Sequence, residues 1–278
     1  MKKIKVYYAK VPNMGDILNK NVIEKLFDCK VVRKNYLFGK VSGIGSGLGN
    51  YTLEGPIWKR ILKRISVIIS PNVYIWGTGF VKYKEKDSKL YKNTKFCAVR
   101  GQLSKKRIET LVGKELDIPM GDAGILASYL LDNQNIEKKY DVGIIAHYKE
   151  KDEPIFKELC NKFKNSTFID VQDTPYNVTK KIAECKTIIS SSLHGLIIAD
   201  SLYVPNVHIV VTNNLLGDGF KFDDYYSAYS IKHKFIDTNK ETINSLDEII
   251  NNYQLTKEMI DEKKENMIKC FPYQKYRK

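Results

Sequence analysis

Short runs of β-branched and aromatic residues alternate along this chain with longer segments whose apolar positions recur at helical spacing, the pattern of a parallel sheet covered by helices. In the first half, residues 4–8, 31–33, 73–76 and 96–99 read as strands and 17–27 and 104–111 as helices. Asp16 stands where a cap for the first helix is needed, and Gly101-Gln102-Leu103-Ser104 offers a turn and a cap for the second. The segment 132–139 is polar, has no apolar period and follows the apolar stretch 125–131, so a domain linker is expected there. A second alternation begins at once, with strands at 141–146, 167–170, 187–190 and 207–210 and helices over 153–164, 178–185 and 194–203. A charged helical pattern over 256–269 precedes an aromatic and basic tail and is expected to pack as a closing helix.

Two successive strand and helix series predict an α/β protein with two Rossmann-like domains facing across a cleft: residues 1–134, residues 138–250, and a closing helix and tail over 254–278. Ligands of such sheets bind beyond the carboxyl ends of the strands. The junctions where strands run into helices are therefore the places to look for chemistry.

Charge narrows the partners. The formal net charge of +14 comes mostly from lysines scattered over the whole length, so the protein attracts anions: nucleic acids, phosphorylated metabolites or lipid headgroups. No zinc finger, basic zipper or aromatic RNA-binding motif accompanies the charge, and nucleic acid is not expected as a partner. The cysteines Cys29, Cys97, Cys160, Cys185 and Cys270 lie far apart without the close Cys or His pairing that zinc needs, so no metal is expected and the thiols read as reduced. The chain opens on a short strand, and its longest apolar stretch, 65–80, is broken by Pro71 and Asn72 and too short to span a bilayer. A cytoplasmic location is the expectation. Trp58-Lys59-Arg60-Ile61-Leu62-Lys63-Arg64 is basic and amphipathic, and reads either as an ordinary surface helix or as a peripheral contact with the anionic inner face of a membrane.

The most informative segment runs from a buried strand through Ser190, Ser191 and Ser192 into the apolar helix that begins with Leu193, His194 and Gly195. Free backbone N–H groups and the helix dipole at such a junction suit a phosphate or carboxylate, and the hydroxyls add donors. His194 in the first turn would face that anion as a hydrogen-bond donor or general acid; the plainer reading is a helix cap beside a structural histidine.

This serine-led segment resembles one carried by the polysaccharide pyruvyl transferases. The likeness continues, in order, through Asn13-Met14-Gly15-Asp16-Ile17-Leu18-Asn19, the glycine-bearing strand ends 41–47 and 74–79, Val99-Arg100-Gly101-Gln102-Leu103-Ser104, Gly121-Asp122-Ala123, the strand ending in His147, and Lys221-Phe222-Asp223-Asp224-Tyr225-Tyr226. The resemblance implies a GT-B-like fold with the active site between two Rossmann-like domains. It further implies transfer of a pyruvyl group from phosphoenolpyruvate to a sugar of a cell-surface polysaccharide or of its lipid-linked precursor. Phosphoenolpyruvate is then the donor substrate, with no other cofactor, and the sugar is the partner. On this reading His194 is the acid or phosphate ligand, and Arg100 clamps the donor from the first domain. Ser190, Ser191, Ser192, Leu193, Gly195 and Lys221 surround the anion, His147 at its strand end binds donor or acceptor or is a turn histidine without a role, and Asp16, Asp122, Gly47 and Gly77 lie on the acceptor side. Ser192 stands where several members carry an arginine, so either the helix terminus with Arg100 and Lys221 takes the anion or the donor differs. The rival readings are a GT-B glycosyltransferase using a nucleotide sugar and a non-catalytic glycan-binding relative.

Overall fold

The structure is a computed structural model and describes residues 2–10, 13–83, 89–132, 134–212 and 219–273. Among them are two five-stranded sheets, both wholly parallel. The first contains β1 (Lys2–Tyr7), β2 (Cys29–Lys34), β3 (Val41–Ser42), β4 (Asn72–Trp76) and β5 (Asn93–Ala98) in the order β2-β1-β3-β4-β5. The second contains β6 (Tyr140–Ile145), β7 (Ser166–Phe168), β8 (Cys185–Ser190), β9 (Asn206–Val210) and β10 (Phe235–Asp237) in the order β10-β9-β8-β6-β7. Parallel strands need crossover connections, and helices supply most of them.

In the first half, α1 (Met14–Leu26) buries Leu18, Asn19, Val22 and Ile23, the stripe that helical spacing predicts. Its cap is Asn13, whose side chain accepts from Gly15 N; Asp16 sits inside the first turn instead of at the cap. α2 spans Ile57–Ile69 and α3 Gln102–Val112. In the second half, α4 (Pro154–Lys162) and α5 (Pro175–Ala183) each begin on a proline, where the missing N–H removes no helical bond. α6 (Leu193–Ser201) is apolar almost all round and buried except at His194, as befits a helix packed on every side. α7 (Phe220–Ser227), α8 (Leu246–Asn252) and α9 (Lys257–Lys269) complete the chain.

The two halves share one core. The apolar stretch Ala123–Leu131 forms a 3-10 segment that packs against α1, α5, α6 and α9, so residues from both sheets close over it. Three further ties cross between halves. Met14 N donates to Val171 O at 2.8 Å, Trp76 Nε1 donates to Met267 O at 2.8 Å, and the Phe271 ring stacks on Phe27 with centroids 3.8 Å apart.

The fourth tie is polar and fully buried. α7 follows the second sheet in sequence yet lies against α3, where Asp224 accepts from Ser104 N at 2.7 Å, Ser104 Oγ at 2.6 Å and Arg100 Nε at 2.9 Å. Ser227 Oγ accepts from Gln102 N, so α7 caps the N-terminus of α3 from across the chain. The expected local cap does not form: Gly101 occupies the cap position, and a Cβ there would stand 1.6 Å from Asp224 O.

Elements absent from the sequence pattern have simple causes. β10 is three residues long and β3 only two, too short to carry an alternation, so β3 is indicated by the resemblance at 41–47 and not by its pattern. α7 mixes aromatic and acidic residues, and its placement comes from the tertiary bonds of Asp224 and Ser227.

Arg100→Met should leave the Asp224 carboxylate buried without its cation and lower stability by about 3–5 kcal/mol. Equilibrium denaturation measures this, and Arg100→Lys should recover only part of the loss because an ammonium cannot reproduce the guanidinium fork.

Candidate functional site

The site begins where β8 runs into α6. Ser190 Oγ accepts from Ser192 N at 2.9 Å and donates to Ser192 O at 3.0 Å, so its hydroxyl is spent on shaping the turn. Gly195 leaves room for it, since a Cβ there would lie 2.6 Å from Ser190 Oγ. Ser191 N donates to Ile145 O at 3.0 Å and Ser191 Oγ accepts from His147 N at 2.9 Å, which fastens the His147 turn to this junction. Ser192 holds the cap position of α6 without a side-chain capping bond, and Leu193 is buried beside it.

His194 points back toward the first half. A Cβ on Gly15 would lie 2.0 Å from its Nδ1, so the glycine of the opening loop packs directly on the imidazole. The residue keeps some exposure, but its Nε2 is buried and has no hydrogen-bond partner. Desolvation, followed by the charges of Lys221, Arg100 and His147, pushes its pKa down to about 3. The ring is therefore neutral at physiological pH.

The neighbouring bases feel the same crowding. His147 is lowered to about 4 by desolvation, then by Lys221 and Lys149. Lys221, half-buried on α7, is lowered to about 8 by desolvation and by Arg100, against an opposing pull from Glu150. Arg100 completes the group but has no free fork: besides Asp224 it holds Ser46 Oγ through Nη1 at 2.7 Å and Phe80 O through Nη2. Gly79 makes this possible, because a Cβ there would meet both the guanidinium and the Asp224 carboxylate at 2.6 Å. Arg100 thus acts on its neighbours through its field, with its reach toward a ligand taken up by the protein.

Two acids lie on the first-half side. Asp16 Oδ1 accepts from Ala9 N at 3.3 Å, and burial raises its pKa to about 6. Asp122 is completely buried; Oδ1 accepts from Gly124 N at 2.8 Å, Oδ2 has no partner, and desolvation raises its pKa to about 6. Gly47 N donates to Thr78 Oγ1, which in turn donates to Gly45 O, so the two glycine-bearing strand ends are stitched together. Gly77 has φ +91°, and a Cβ there would stand 2.7 Å from Ala123 N. Gly77 shapes the wall beside Asp122, while Gly47 packs against Tyr7, where a Cβ would stand 2.9 Å from the ring.

Several residues of this region escaped the sequence reading. Asn19, buried on α1, accepts from Ile44 N at 2.9 Å and donates to Ile44 O at 3.1 Å, clamping the 43–45 loop; a polar residue on the apolar stripe of α1 was its signal. Glu150 is buried, accepts from Thr212 Oγ1 at 2.6 Å and leaves Oε2 unpartnered; nothing in its charged loop marks it. His233 and His208 were also passed over; they form a bonded row with Asp223, a residue of the segment singled out from the sequence, with contacts of 2.9 and 3.0 Å. Among the described residues no cluster of His, Cys, Asp and Glu is arranged to hold a metal ion, and no helix is long and apolar enough to cross a membrane.

Comparison with known proteins bears on this arrangement. A family model described as polysaccharide pyruvyl transferase matches residues 13–213. The chain is 32% identical over 232 residues to the uncharacterized protein L143 of Acanthamoeba polyphaga mimivirus, covering 81% of this chain and 74% of that protein. It is 21% identical over 174 residues to the succinoglycan biosynthesis protein ExoV of Rhizobium meliloti, covering 63% of this chain and 53% of that one. The matched region contains Gly15, Arg100, Asp122, His147 and His194 and ends before Lys221.

In an NMR titration His194 should stay neutral down to about pH 4, and Lys221→Met should raise its pKa while leaving it below the ordinary histidine value, since desolvation is the larger cause. A normal titration near neutrality in the wild-type protein would contradict this account of the site.

Proposed function

The chain belongs to the polysaccharide pyruvyl transferase family, and from that premise we propose that it moves the pyruvyl group of phosphoenolpyruvate onto two hydroxyls of one sugar, forming a cyclic ketal. The acceptor sugar belongs to a polysaccharide or to its lipid-linked precursor. The observation that carries this reading is the buried, unpartnered Nε2 of His194, set among Lys221, His147 and Arg100 and closed from the first half by Gly15. The two sheets are then the two domains of a GT-B-like arrangement, with the acceptor on the first and the donor on the second.

The chemistry balances as follows. A proton is added to the methylene carbon of the enol phosphate, and cationic character develops at the adjacent carbon. A sugar hydroxyl attacks that carbon, its C–O bond to phosphate breaks, and a second hydroxyl closes the ketal. One of the two hydroxyl protons makes good the proton taken up by the methylene carbon; the other leaves with phosphate. The protein needs one acid, an anion seat and a base.

His194 suits the first task because its ring, held neutral by burial and by the positive field of its neighbours, is the group whose charge can change. An incoming anion reverses that balance, raises the imidazole pKa and charges it where the donor lies. The N-terminus of α6 and Lys221 form the anion seat in place of the arginine that Ser192 replaces. Arg100 is a positioning residue: it strengthens the positive field and is itself held by Asp224. Asp122 and Asp16, both raised to about 6, are the candidates for accepting hydroxyl protons near neutrality. A nucleotide-sugar glycosyltransferase is disfavoured because Asp200, the one acid on α6, is already bonded to Asn206, Tyr225 and Tyr253.

The test is calorimetry with phosphoenolpyruvate in buffers of different ionisation heat. The free imidazole titrates at about 3 and the liganded one higher, so binding should take up a proton and tighten as pH falls through the liganded value. His194→Gln should abolish the part of that uptake contributed by the ring and lower turnover by roughly 10²–10⁴-fold. Absence of binding, or proton uptake identical in His194→Gln, would overturn the assignment.

A further inference from the structure

Helix α2 is oriented with its apolar side outward. The residues it turns toward the protein are Lys63 and Ser66, both buried. Lys63 Nζ donates to Thr52 O at 2.6 Å and Glu54 O at 3.0 Å and stands 5.5 Å from the centroid of the Tyr91 ring. These bonds fix the rotation of the helix. On the other side Ile57, Trp58, Ile61, Ile65, Ile68 and Ile69 are exposed, from 50% for Ile65 to 83% for Ile68. At 3.6 residues per turn they occupy one arc of about 120°, with Lys63 opposite its centre and Ser66 beyond one edge. Soluble helices bury such a stripe, and an exposed one marks an interaction surface.

The borders of the arc identify the partner. Arg60 and Arg64 lie along one edge and Lys59 beyond the other, all exposed, and the helix contains no acidic residue. A second copy of the chain would set like charges against one another. A helix of this length, about 20 Å, also presents far less than the roughly 800 Å² that each partner contributes to a stable protein pair. An anionic lipid surface meets both features, with the apolar arc entering the acyl boundary and the basic borders lying among headgroups. We infer that α2 docks the protein flat on an anionic bilayer. This goes beyond the transferase reading and is measured apart from it.

The full chain should be sedimented with phosphatidylcholine vesicles made with and without phosphatidylglycerol. Co-sedimentation should require the anionic lipid and weaken as salt rises. Emission from Trp58 should shift to the blue on binding, while the other tryptophan, Trp76, is already fully buried and supplies a constant background. Ile61→Glu with Ile65→Glu, and separately Arg60→Glu with Arg64→Glu, should each weaken binding by at least about tenfold. These positions are exposed, so far-UV circular dichroism and thermal unfolding should match the wild type, and Ile68→Glu repeats the test at the most exposed site. The inference fails if anionic vesicles do not pellet the protein at low salt, or if the glutamate variants bind as tightly as the wild type. It also fails if the apolar face instead mediates a lipid-free dimer that Ile61→Glu with Ile65→Glu dissolves.

Discussion

One buried carboxylate, Asp224, fixes where α7 of the second half sits against the first half. It accepts three hydrogen bonds, two from Ser104 and one from Arg100, and neither it nor the arginine is exposed. A charge taken out of water is tolerated only with such a complete set of partners, so α7 has one place to sit. The cationic part of the candidate site follows from that placement. Lys221 lies three residues before Asp224 on the same helix, and its charge bears on both His194 and His147. Gly79 and Gly101 are glycines because a Cβ at either position would strike the ion pair or the α7 backbone.

The result is a site in which burial and neighbouring cations lower the pKa values of His194, His147 and Lys221 together. Its groups respond differently according to what restrains them. Arg100 is paired with the Asp224 carboxylate, Lys221 is partly supported by Glu150, and His194 has no compensating acid among the causes acting on it. The imidazole is therefore the group that gives up its charge, and the one that regains it when an anion arrives. A cation with its own counter-ion cannot respond in this way, so an arginine already tied to Asp224 supplies field while the histidine supplies the proton. The same logic runs in reverse for Asp122, whose unpartnered Oδ2 and raised pKa reflect burial that the nearby Arg100 only partly offsets.

Much of this was legible in the residues. The strand at β8 and the apolar helix α6 were plain because both are buried on all sides, and His194 was marked as the polar residue in the first turn of that helix. What escaped notice depended on distance in the chain. Arg100 reads as a cation at a strand end, and nothing local reveals that its partner lies 124 residues later. Likewise, Asn13 and Asp16 are both capping residues by type, and only the bond from Gly15 N distinguishes them. The contact of Gly15 with His194 joins the opening loop to a helix of the other half, a closeness that sequence order hides.

Helix α2 exposes a different limit of pattern reading. An amphipathic period tells which residues share a face, and the inward direction is then assigned on the assumption that water is the only other solvent. In α2 that assumption selects the wrong side: turning the helix by half a revolution would bury its isoleucines and release Lys63 to water, yet Lys63 is the residue held inside. Two carbonyl oxygens, Thr52 O and Glu54 O, satisfy the ammonium there, even though burial lowers its pKa. A chain that accepts the desolvation of a lysine while leaving isoleucines exposed is one whose apolar face has a second environment to enter. The basic residues bordering that face specify the sign of charge this environment must carry.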